Sequence, residues 1–253
     1  MTELEAMEAR HSVRNYLDKE IEPEKAEKIT KLIEACNKEG NLHLQFLPDA
    51  GKTFSRFLNK MMGLGSAKSV IACVGPDDET LEERVGYYGE KVVLFAQTLG
   101  LNTCWAGTFS EKGVPAKVRP GERLVIVIAI GYGVNQGVKR RTKTYEDVVD
   151  TPEGKPEWFK KGVELALLAP TAINQQKFRF RLQEDGSVAM EDLGGPFSKV
   201  DQGIVRYHFD VGVTPSDASA KREEELLVSP PLQESAIGER EARRQSGNDD
   251  RGE

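Results

Sequence analysis

The stretch "LVIVIAIG" at 124–131 has no polar side chain, and nothing else in the sequence limits the fold as strongly. A strand with one wet face alternates apolar and polar residues, so an unbroken, mostly β-branched run predicts a central strand covered on both faces. Such a strand needs neighbours. "SVIACV" at 69–74 and "NTCWAG" at 102–107 read as strands, and "LHLQFL" at 42–47 alternates like one. Helices are expected at 2–9, from Pro23 to Cys36, over "TFSRFLNKMM" at 53–62, at 79–99 with Gly100 as the stop, at 157–168 and at 200–210. "FRFRLQEDGSVAM" reads as a hairpin turning at Asp185 and Gly186.

At 253 residues the chain can bury a large core without crosslinks. The three cysteines, Cys36, Cys73 and Cys104, lie in apolar segments and read as reduced thiols. No CxxC or Cys/His cluster suggests a metal. The acidic start and the lack of any run of about 18 apolar residues argue against a signal peptide or membrane span, so a cytoplasmic protein is expected. A net charge of −6 argues against general nucleic-acid binding. No aromatic residue follows Phe209, and residues 214–253 are expected to form a disordered tail. "KLIEACNKEGNLHLQFLPDAG" and "VELALLAPTAINQQKFRFRLQEDG" share a helix, loop, strand plan, which suggests an internal repeat.

Two basic stretches are candidates for anion binding. "RHSVR" at 10–14 combines two guanidiniums with a hydroxyl donor, which suits a phosphate monoester, though it also reads as a solvated basic turn. "VKRRTK" at 138–143 follows a strand end, where ligands sit in α/β sheets, or is a charged surface loop. Ala106, Gly107 and Thr108 offer small residues at another strand end. "APTAINQQ" at 169–176 places four side chains able to donate and accept hydrogen bonds (Thr171, Asn174, Gln175, Gln176) at a helix exit. No Ser/His/Asp or Cys/His set can be assembled. A protein with anion-binding groups and no nucleophile leaves its chemistry to a cofactor.

These segments together resemble the FMN-dependent nitroreductase family: "EARHSVRNYLDKEIEPEKAEKI" its N-terminal signature, "GLNTCWAGTF" with "VIVIAIGYG" and "KRRTK" its C-terminal half, and "APTAINQQ" its P-S-x-x-N-x-Q loop. In most members that loop follows the first helix and reaches the partner's flavin. Here it lies beyond residue 150, so the chain resembles a branch in which one chain imitates the homodimer. The resemblance implies an α+β nitroreductase-like fold with a mixed central sheet flanked by helices and a pseudo-two-fold repeat. Residues 1–150 would form the first half, 151–213 the half that supplies the covering loop.

The resemblance also implies FMN as cofactor, NADH or NADPH as electron donor, a small-molecule acceptor such as a nitroaromatic, quinone or flavin, and ping-pong turnover by a monomer acting as a pseudo-dimer. No side chain would be catalytic, because flavin N5 carries the chemistry. Arg10, His11 and Ser12 would hold the phosphate, with Lys139, Arg141 and Lys143 opposite. Arg14 would lie beside N1 and the C2 carbonyl, the amides of Gly107 and Thr108 near N5, Pro170, Thr171, Ala172 and Asn174 over the ring, and Asn59 at the pyrimidine edge. Lys177 and Phe178 replace the family's usual Pro-Trp. The alternatives are a non-catalytic FMN-binding protein and a specialised flavin enzyme, such as a dehalogenase or a flavin-consuming enzyme.

Overall fold

The computed structural model describes residues 1–55 and 63–214. The expected helix at 53–62, including Asn59, and the expected tail lie largely outside them. Four strands form one sheet in the order β1–β2–β4–β3: β1 (Gln45–Leu47), β2 (Ser69–Pro76), β3 (Asn102–Ala106) and β4 (Glu122–Gly131). The apolar run lies in β4, which pairs with β2 on one side and β3 on the other. Its residues from Val125 to Ile130 are all buried, as a strand covered on both faces requires.

The mixed sheet expected from the resemblance is corrected in one respect. All pairings between these four strands are antiparallel. Among the described residues, parallel contacts are confined to two isolated bridges, Ser12 with Thr103 and Val149 with Phe180. The first lays residues 10–16 alongside β3. This strap then crosses to the end of β4, where Tyr16 bridges Gly133 and the Leu17 N–H donates to Tyr132 O.

Helix α1 (Glu3–Ala9) opens on a capping box in which Thr2 and Glu5 satisfy each other's backbone N–H groups. Helix α2 (Pro23–Gly40) runs past the expected end at Cys36, because Gly40 leaves room for the Tyr88 ring and Asn41 then takes the left-handed conformation that stops the helix. The side chain of Asn37 engages both the N–H and the carbonyl of Leu44, so the strand expected from residue 42 starts only at Gln45. Helix α3 (Leu81–Thr98) ends before Gly100, which has a positive φ, as expected. A single turn, α4 (Tyr145–Val148), and α5 (Glu157–Ala166) follow. Then come the hairpin of β5 (Phe178–Leu182) and β6 (Val188–Asp192), turning at Gly186, and α6 (Ser198–Val213).

The two segments of the suggested repeat are α2–β1 and α5–β5, but their strands join different sheets. One apolar core spans both halves, taking Ile33, Val92 and Ile128 together with Phe159, Phe180 and Phe209. The three cysteines are free and buried, and burial pushes the Cys36 thiol up to about 12.

Helix α6 reaches α3 through two glycines. A Cβ on Gly203 would fall 2.0 Å from Glu83 O, and one on Gly86 would fall 2.1 Å from Val200 O. Backbone cannot retreat as a flexible side chain can. Gly203→Ala should therefore cost about 2–3 kcal/mol, read as a lower urea midpoint, whereas Gly51→Ala should stay within about 0.5 kcal/mol because nothing lies near that position.

Candidate functional site

The crossing of α3 and α6, the strap at 10–16 and the loop at 170–176 converge on the end of β3. A cavity of about 390 Å³ lies there. From the first half of the chain it is lined by Ser12, Arg14, Trp105, Gly107 and Thr108; from the second half, by Pro170, Thr171, Ala172, Phe197 and Asp201. Seven of the fourteen residues singled out from sequence thus face one space. The room beside Gly107 is taken by Phe197, whose ring would be 2.3 Å from a Cβ at that position. Arg14 is exposed and makes no ion pair among the described residues.

Next to the cavity the positive charges gather. Gly137, with a positive φ, folds its turn against His11 and Ser12, bringing residues 138–143 beside the strap. Burial, then the cations Arg10, Arg140 and Lys139, hold the His11 imidazole below its usual range. Arg10 is only 3 % exposed, and its Nε has no hydrogen-bond partner among the described residues. The nearby acid is Glu90, 3.8 Å from that nitrogen and fully buried. Glu90 also accepts from Trp105 Nε1 at 2.8 Å and contacts His208 Nε2 at 2.9 Å.

Within the basic segment Arg140 turns inward, a residue the resemblance does not name: its guanidinium donates to Asn174 Oδ1 and Leu167 O. Burial, reinforced by Arg10, pushes its pKa down to about 10. The Arg141 side chain is exposed, and its carbonyl accepts from Asn174 Nδ2 and Gln176 Nε2. Lys143 gives its ammonium to Gln176 O. The resemblance names Lys139, Arg141 and Lys143 and leaves out Arg140, because matched positions do not show which side chain of an irregular segment turns inward. Asn174 likewise holds the loop to the basic segment and does not line the cavity.

Sequence reading also misses Glu90 and Asp201. A polar residue on the apolar stripe of α3 was the available signal for the first. An acid in the first turn of α6 reads simply as favourable to the helix dipole. In the structure Asp201 is 5 % exposed and accepts from Ala172 N–H at 2.9 and 3.1 Å and from Gln175 Nε2 at 2.7 Å.

The model of the family described as "Putative TM nitroreductase" matches residues 3–213. The chain belongs to this nitroreductase family. Its fold is similar to that of a solved "putative nitroreductase" from Thermotoga maritima, with 22 % identity over 83 % of this chain and 82 % of that one and a TM-score of 0.58. A "putative NADH dehydrogenase/NAD(P)H nitroreductase" from Bacteroides thetaiotaomicron has 19 % identity over 58 % of this chain and 95 % of its own, with a TM-score of 0.46. An "FMN-dependent nitroreductase" from Clostridium difficile has 19 % identity over 60 % and 97 %, with a TM-score of 0.42. No curated protein matches the chain. Membership in this nitroreductase family supports an oxidoreductase in general terms. Among the described residues, no helix is long and apolar enough to cross a membrane, and no group of three or more metal-ligating side chains occurs.

Burial, and less strongly the Asp192 carboxylate, raises the Asp201 pKa to about 6 against the pull of the Gln175 and Ala172 hydrogen bonds, and among the described residues no cation pairs with it. A carboxyl raised on folding favours the fold when neutral. That stabilisation is complete below about pH 4 and lost as pH rises through about 6. From pH 5 to pH 8 wild type should therefore lose about 1.4 kcal/mol relative to Asp201→Asn, read from urea midpoints at each pH.

Proposed function

We propose that this nitroreductase-family chain binds one FMN non-covalently and passes hydride equivalents from NADH or NADPH to nitroaromatic, quinone or flavin-like acceptors by ping-pong turnover. The observation that carries this reading is the surplus of positive charge beside the cavity, buried at Arg10 and half-buried at Arg140. Arg10 and Arg140 lie close together with Glu90 as the neighbouring acid, and Arg10 Nε, within ion-pair range of Glu90, has no hydrogen-bond partner among the described residues. A phosphate monoester, with about −1.5 to −2 charge and oxygens that accept from guanidinium, fits that need. The adjoining cavity, within the range of about 300–1,000 Å³ usual for small-molecule sites, fits a flat ring walled by Trp105, Pro170 and Phe197.

In this reading Arg10, His11, Ser12, Lys139 and Arg140 hold the phosphate, and Arg14, Gly107, Thr108, Pro170, Thr171 and Ala172 meet the ring. Bound FMN supplies two-electron chemistry at N5. The chain orients it, shields it from water and offers the Arg14 cation to the charge gained on reduction. Because both halves line one cavity, a monomer with a single site is the natural unit.

The protein should purify yellow with one FMN per chain by absorbance. Arg140→Gln should weaken FMN binding by roughly ten- to a hundredfold, the loss of one charge-assisted hydrogen bond of about 1.5–3 kcal/mol, in a fluorescence titration. Unchanged affinity would remove the phosphate from this cluster.

Arg14→Gln keeps a donor of similar reach but removes the charge. FMN should stay bound while its reduction potential falls by roughly 30 mV, since about 30 mV corresponds to 1.4 kcal/mol for a two-electron couple. Dye equilibration of the flavin-loaded variant measures this, and an unchanged potential would move Arg14 away from the ring. Oxidation of NAD(P)H by a quinone or nitro compound separates the enzyme from a non-catalytic FMN binder.

A further inference from the structure

The loop at 171–176 holds three non-glycine residues at positive φ: Ile173 at 46°, Asn174 at 57° and Gln176 at 47°. For a β-branched residue such as Ile173 this conformation is an outlier, and such strain persists only where the surroundings impose it. Ile173 cannot be held by its own packing, being 87 % exposed. The restraint comes from two sides. On the outer side, Arg140, the Arg141 carbonyl and Lys143 grip Asn174 and Gln176. On the cavity side, one side chain grips the rest: both Asp201 oxygens meet the Ala172 N–H, and Oδ2 also takes the Gln175 amide.

We infer that Asp201 is a positioning residue, a clip that holds the wall formed by Thr171, Ala172 and Ile173 closed against the cavity. The inference extends the reading of the cavity as a flavin site, though the clip itself is independent of what the cavity holds. Asp201 sits one turn into α6, whose glycine-mediated contact with α3 fixes it rigidly. The loop supplies what it lacks, a donor from its backbone and one from Gln175. Gln175 in turn spans from Asp201 to Pro196 O and has a buried, unpartnered Oε1 packed against Gly195. That spare acceptor matters for the test. An asparagine at 201 keeps Oδ1 for Ala172 N–H, and rotating the Gln175 amide presents Oε1 to the new NH₂ donor, giving up only the bond from Nε2 to Pro196 O.

The full-length protein, as purified, should be compared with Asp201→Ala and Asp201→Asn by hydrogen exchange of the 170–176 peptide and by FMN titration. Asp201→Ala should speed exchange across the loop by about tenfold or more and weaken FMN binding by a similar factor, while Asp201→Asn stays within about threefold of wild type in both. A merely structural effect would spread to peptides of α3 and β4, which should not change. If Asp201→Ala proves too unstable to purify, Gln175→Leu removes the side-chain half of the clip at a half-buried position and should speed loop exchange by a few-fold. Loop exchange in Asp201→Ala within twofold of wild type would overturn the clip, as would unaltered exchange in Gln175→Leu. Faster loop exchange in Asp201→Ala with wild-type protein that does not bind FMN would uphold the clip and sink the flavin reading instead.

Discussion

The carboxylate of Glu90 ties together four parts of the chain that sequence order keeps far apart. It stands on α3, accepts from Trp105 on β3, meets His208 on α6 and lies 3.8 Å from Arg10 on the strap. A fully buried carboxylate is tolerated only when its charge and lone pairs are answered, so each of these partners is also a condition on where the others can lie. His208 illustrates the constraint. Its Nδ1 faces Leu165 O and its Nε2 faces Glu90, so the ring is held between α5 and α3. The backbone at the end of α5, which leads straight into the loop over the cavity, is thereby linked to the same carboxylate as the strap.

That arrangement leaves a charge imbalance on the side facing the basic segment. One carboxylate cannot answer Arg10 and Arg140 together, and like charges held near each other in a partly dry environment repel strongly. Burial first, and this repulsion second, depress the basicities of both Arg140 and His11. A cluster of this kind costs stability in the free protein and favours an anion that neutralises it. The binding reading therefore rests on what the cluster lacks.

Much of this was legible in the sequence, and the failures have physical causes. The apolar run at 124–131 gave the central strand, because a strand covered on both faces has no alternative composition. The hairpin turn at Asp185 and Gly186 and the stop at Gly100 were legible because glycine takes positive φ at little cost. The strap, the end of β3 and the loop after α5 were recognisable as site segments. Their side chains were harder. The resemblance named the neighbours of Arg140 because the residues that turn inward in an irregular segment depend on which carbonyls are available, here Leu167 O, and not on a matched position. Asp201 was invisible because its partners are backbone and amide groups about thirty residues earlier.

The amide-rich loop itself shows why composition and geometry cannot be read separately. Glycine at 173, 174 and 176 would adopt the observed backbone without strain, but it would remove the Asn174 and Gln176 side chains that lock the loop to Arg140, Arg141 and Lys143. The sequence instead accepts strained backbone, of order 1–3 kcal/mol per residue, and offsets it with side-chain bonds to two rigid supports. Strain on one side and anchors on both make the loop's position conditional on each anchor. Such a wall differs from a plain turn in one respect that matters for a site: it keeps a defined shape while Ile173, 87 % exposed, lines the cavity together with Arg14.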